Sequence, residues 1–126
     1  MAIPSGSGTE VLQRGYVATQ STDVTALRWD GTAPTLGTDT YTVPANHIIT
    51  VISVLLCETV GNAETFNMYA HDGTNQIWML QDQALAAYAT FVYNDKFVVQ
   101  GGDYVRVGAS AGDVDVYYSY LDQDWS

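Results

Sequence analysis

The chain has 126 residues, enough for one domain that buries roughly two thirds of its unfolded surface without a disulfide or a metal. Fourteen acidic residues stand against four basic ones, and the cations (Arg14, Arg28, Lys96 and Arg106) are scattered. That distribution argues against binding nucleic acid or an anionic membrane, both of which need clustered positive charge.

Charged residues make up 14% of the chain and hydrophobic ones 47%, so much of the surface must be neutral and easily desolvated, as suits a protein that works in contact with others. Cys57 is the only cysteine, which leaves no internal disulfide and no cysteine-built metal cage. Met1 to Gly8 has neither a basic region nor an apolar run and does not read as a signal peptide. No stretch has the roughly 18 apolar residues of a membrane-spanning helix.

In chain order, residues 1–22 read as an extended N-terminal arm that gains order from a partner, or alternatively as the first strand of the domain formed by residues 23–126. Val24–Trp29 is a candidate strand, and Asp30–Gly37 a loop by its Gly and Pro content. Thr40–Val43 leads into Pro44, which has no N–H for a ladder. His47–Glu58 is the strongest strand, β-branched and apolar on both faces, which implies a cover on both sides: a second sheet on one, a subunit or the arm on the other. Glu64–His71 alternates, with Phe66, Met68 and Ala70 on one face. Asp72–Asn75 is a hairpin turn and Gln76–Leu80 its return strand. Gln81–Ala87 reads as one helical turn or a loop. Ala89–Tyr93, Phe97–Gln100, Asp103–Ala109 and Val114–Leu121 complete the strands. About eight short strands, regular turns and no amphipathic helix predict an all-β, single-domain β-sandwich or jelly roll.

Several of these segments, taken together, resemble a known class. They are Tyr41–Asn46 before the long apolar strand, Gly61–Phe66, Gly102–Val107 and a Tyr-rich last strand, with the opening Met1–Glu10. Their order resembles small β-sandwich virion proteins of tailed phages, those that decorate or cement the capsid or sit in tail tips and fibres. The resemblance covers about residues 40–122 and rests on turns and strands, not on a catalytic signature. It implies a jelly-roll-like fold, a homotrimer and no cofactor.

Reactive chemistry finds little support. His47 and Cys57 are ten residues apart on one strand, some 30 Å along it, too far for a nucleophile–base pair. The pairs Asp113/Asp115 and Asp122/Asp124 can share a strand face, but a chain this short leaves little room for a glycosidase cleft. Asp72–Asn75 and Asp122–Asp124 offer oxygen ligands without matching a calcium loop. No catalytic, cofactor or metal residue is therefore assigned.

The aromatic residues carry more weight, because Tyr and Trp bury large area while keeping a polar handle. Leu12, Arg14, Tyr16, Trp29, Tyr117 and Trp125 are the expected interface residues, while Trp78 is expected in the core or between subunits. The leading expectation is a capsid decoration protein on the capsid exterior. It would be made in the host cytoplasm, with the major capsid protein as partner. A tail-tip or fibre component and a glycan-binding module, which needs an exposed row of aromatics, are the alternatives. Trp125 is expected to pack on a neighbour or to close the base of the domain. Trp125→Ala is expected to weaken association with particles in co-sedimentation; unchanged association would remove it from the anchors.

Overall fold

The computed structural model describes residues 8–22, 24–37 and 40–125. It is all-β, with nine strands: β1 (Thr9–Gln20), β2 (Thr25–Ala26), β3 (His47–Glu58), β4 (Glu64–His71), β5 (Gln76–Leu85), β6 (Thr90–Tyr93), β7 (Phe97–Gln100), β8 (Tyr104–Ala109) and β9 (Val114–Asp124). The first sheet has the order β1-β9-β3, and the free edge of β3 is shared by β7 along Ile48–Val51 and by β6 along Val54–Cys57. The second sheet has the order β2-β8-β4-β5. Every pairing is antiparallel. Because β6 and β7 together fill one strand position, the nine strands make an eight-position jelly roll of two packed sheets.

Of the two readings of the N-terminal segment, Thr9–Gln20 follows the second: it pairs in register with β9 as an edge strand of the domain. Residues 1–7 of the expected arm lie outside the described residues. The candidate strand 24–29 shortens to Thr25–Ala26 for a physical reason. The Tyr118 hydroxyl accepts from the Arg28 backbone N–H (3.0 Å) and donates to the Arg28 carbonyl (2.5 Å), so both ladder groups of Arg28 are taken. The segment expected as a helical turn or loop continues β5 to Leu85 through two register shifts. Asp82 sits there at positive φ, and its N–H donates to Asn67 Oδ1 at 2.7 Å. Such bulges blunt an exposed edge strand.

β3 is central, and its inward set changes parity. Ile49 and Val51 face the core, then a register shift against β9 between Val51 and Ser53 puts Val54 and Leu56 there instead. One part of its two-faced apolarity is thus a bulge seen in sequence. Phe66, Met68, Val105, Val107, Val116 and Val17 fill the core from the other strands. Gly102, at φ 90°, donates to the Val43 carbonyl, and Val43 donates to the Asp103 carbonyl, so the turn locks the entry to β3.

Trp29 lies in the core, only 1% exposed, and not at an interface as expected. Once Tyr118 has captured Arg28, the indole turns inward and meets Tyr118 and Tyr120 edge-on, at 5.5 and 5.2 Å between ring centres. Such pairs add about 0.5–1.5 kcal/mol each beyond their buried area. The Tyr118 ring passes over Gly15, where an added Cβ would lie 2.2 Å from Cζ. Gly15→Ala is expected to lower stability by about 1–3 kcal/mol, the usual cost of overpacking. A urea midpoint equal to that of the parent would contradict this packing.

Candidate functional site

Three of the predicted interface residues lie on alternate positions of β1, with Leu12 70% exposed and Arg14 and Tyr16 also exposed. β9 places Tyr117 opposite Tyr16, Ser119 opposite Arg14 and Leu121 opposite Leu12. Registry then carries both apolar rows across the sheet. Tyr16, Tyr117, Leu55 and Val92 form one row over β1, β9, β3 and β6. Leu12, Leu121, Thr50 and Val98 form the second, over β1, β9, β3 and β7.

Leu55, Val92 and Val98 are exposed large hydrophobics that sequence reading did not select. Only the pairing reveals that they join Leu12 and Tyr16 on one face. Between the two rows lie Arg14 on β1 and, at the opposite edge, the exposed Asp95 and Lys96 of the turn from β6 to β7. The Arg14 guanidinium lies 5.3 Å from the Tyr16 ring centre and bonds the Gly31 carbonyl at 3.2 Å. Sparse charge with aromatics and an arginine is the composition of an interface centre. The cover expected over the outer side of β3 is not supplied by β1, which lies in the plane of the sheet beside β9.

Trp125 is half-buried within the chain. Its backbone N–H donates to the Asn46 carbonyl at 2.9 Å, and its ring lies against Gly8, where an added Cβ would stand 2.8 Å from the indole. This is the base-closing alternative.

The titratable groups first considered for chemistry are spread out. His47 Nδ1 lies 2.8 Å from Asp122 Oδ1, and its Nε2 lies 3.5 Å from Asp124 Oδ1. Cys57 is at the other end of β3, its thiol 3.7 Å from the Glu58 carbonyl, while His71 stacks on Tyr104 in the second sheet. Asp115 accepts from the Thr19 N–H, and Asp72 accepts from the N–H groups of Thr74 and Asn75, which fixes the hairpin turn. No group of three or more metal-ligating side chains is found among the described residues. A shallow cleft of about 490 Å3 is lined by Thr42–Asn46, Gly101 and Gly102 and holds no titratable side chain.

Two buried carboxylates escaped sequence reading. Burial pushes the Glu58 pKa up, but backbone N–H groups of Tyr88, Val60, Gly61 and Asn62 outweigh it and hold the carboxyl below its ordinary value. The bonds from Val60, Gly61 and Tyr88 measure 2.9, 2.9 and 2.8 Å, so one carboxylate stitches two loops to the end of β3. Glu64 is 7% exposed and goes the other way. Burial raises its pKa, the Ala111 N–H only partly offsets this, and the nearby Glu58 and Asp113 charges raise it further.

The signs differ accordingly. The Glu58 contribution to stability is full above the ordinary carboxylate range and is lost as pH falls through its depressed value. That of Glu64 is full below the ordinary range and is lost as pH rises through its raised value. Glu64→Gln should therefore raise the melting temperature at neutral pH, with the gain vanishing in acid. Glu58→Gln should lower it at neutral pH. Melting curves from pH 3 to 8 check both; a Glu64→Gln variant less stable than the parent at pH 7 would contradict the assignment.

No protein-family model matches the chain, and no curated protein does. Among solved structures it is similar to a chain of the infectious bursal disease virus Gx strain structure, with 12% identity and a TM-score of 0.43, over 98% of this chain and 32% of that one. It is also similar to the Eiger TNF from S. frugiperda, with 10% identity and a TM-score of 0.38, over 89% of this chain and 90% of that one. The chain thus spans about a third of the viral protein it resembles. At this identity and overlap neither likeness bears on function. The jelly-roll assignment stands on the strand order itself.

Proposed function

We propose that the chain is a structural protein of a virus particle, and specifically a decoration (cement) protein on the capsid exterior of a tailed phage, assembled as a homotrimer on the major capsid protein. The observation that carries this reading is the outer face of the first sheet, which no element among the described residues covers. Two largely apolar rows cross four strand positions there, and the β1, β9 and β3 positions between them hold Arg14 as their one charge, with Asp95 and Lys96 at the far edge. The pattern of turns and strands similar to phage virion proteins supports the same reading. The reading assigns no reactive centre; what the protein supplies is contact area.

The size is suitable. Strands of 12 and 11 residues extend about 40 Å, and four strand positions about 15 Å, a flat outline of about 600 Å2 against the roughly 800 Å2 per partner of a standard interface, so a trimer contact or a second surface would complete it. Near-neutral composition lets it be desolvated at low cost even though the whole chain carries −10. Burying apolar area is worth about 25 cal/mol per Å2 gross, less the costs of association. Repetition over a symmetric shell then turns a modest affinity into firm attachment through avidity.

Leu12→Asp and Tyr117→Asp change exposed side chains and should leave the fold intact. Each is expected to weaken binding to purified empty shells by about tenfold or more, a loss of about 1.4 kcal/mol. Quantitative co-sedimentation measures this, with circular dichroism to check the fold. Failure of the parent protein to bind shells, or undiminished binding by both variants, would contradict the proposal.

A further inference from the structure

The outer face of the second sheet carries a different patch. Registry sets Arg106, Tyr69 and Trp78 in one row over β8, β4 and β5, and Tyr104, His71 and Gln76 in the next. Five of these six neighbouring positions are aromatic rings or an arginine. The rings hold one another in place. Trp78 meets Tyr69 edge-on at 5.0 Å, and His71 stacks parallel to Tyr104 at 4.8 Å with 8° between planes. Arg106 lies 4.5 Å from the Tyr104 ring centre and pairs with no carboxylate among the described residues, although the chain has 14 acidic side chains.

We propose that this patch is a binding site for a saccharide built of hexose rings. Trp78, 43% exposed on an edge strand, offers a large ring that Tyr69 already orients, so little side-chain freedom is lost on binding. The C–H groups of a pyranose face carry slight positive charge and pack on the negative face of such a ring. Gln76 lies beside Trp78 on β5 and Arg106 lies beyond Tyr69 on β8; both offer planar N–H donors and Gln76 adds a carbonyl acceptor, groups suited to sugar hydroxyls. Tyr104 and His71 keep the guanidinium and the floor of the patch fixed.

The patch has the dimensions of a small saccharide. The six positions span three strands about 4.8 Å apart and two residues of one face, a footprint of about 10 by 7 Å. That matches one or two sugar rings. The site faces away from the first sheet, so it is independent of the docking face proposed above.

The test uses the full chain and three probes: trisaccharides of glucose, of galactose and of N-acetylglucosamine. Ligand-observed NMR and tryptophan emission follow each titration to 10 mM. At least one probe is expected to bind saturably with a millimolar Kd. Trp78→Ala should weaken it at least tenfold, Trp78→Phe should retain part of it, and Arg106→Gln should weaken it. All three variants should bind empty shells like the parent. No saturable binding of any probe, or unchanged binding by Trp78→Ala, overturns the proposal. A Trp78→Ala variant that loses shell binding, from a parent that ignores all three probes, makes the patch a protein contact and equally overturns it.

Discussion

The sandwich is tied together by Tyr118. From β9, in the middle of the first sheet, its hydroxyl reaches the segment that follows β2 and satisfies both backbone groups of Arg28. Burial, with the neighbouring Tyr120, pushes the phenol well above its ordinary pKa, so it stays neutral and keeps donating. The ring needs Gly15 beneath it and sets Trp29 against Tyr120. One side chain therefore decides where β2 ends, why β1 has a glycine and which way the nearest tryptophan turns.

Because the two sheets close on each other through this inner network, their outer faces are left to other tasks. On the first sheet, apolar residues align across strands that are distant in sequence, with Arg14 among them and further charges at the edges of the face. On the second, rings and a guanidinium occupy five of six adjacent positions. The faces differ in extent and chemistry, the first broad and apolar, the second small and aromatic-polar. That difference is the physical ground for giving them different partners. The carboxylates Glu58 and Glu64 belong to neither face; they fasten loops at the end of the sandwich.

Much of this was legible in the residues. β-branched runs and the Asp72–Asn75 hairpin turn marked strands β3, β4, β7 and β8 to within a few positions and the start of β5, whose last five residues read as a helical turn or loop. Leu12, Arg14 and Tyr16 could be picked out as large contact side chains, and Tyr117 because its strand is Tyr-rich, but that the first three share one face became visible only from the pairing of β1 with β9. Trp29 could not be placed, since its burial depends on a hydroxyl 90 residues away. Bulges were also invisible: the parity change in β3 looks like an apolar run, and Asp82 in β5 looks like a loop. Leu55, Val92 and Val98 were missed because only strand registry makes them neighbours of β1 residues. The aromatic patch on the second sheet needed the same registry.

The central claim is that the outer face of the first sheet is the surface this protein gives to a particle. Hydroxyl-radical footprinting of the chain, free and on isolated virions, tests it most directly. The account predicts that Leu12, Tyr16, Leu55 and Tyr117 become protected on the particle while the Trp78 face stays reactive. Protection confined to the second sheet, or absence of the chain from purified virions, would contradict it.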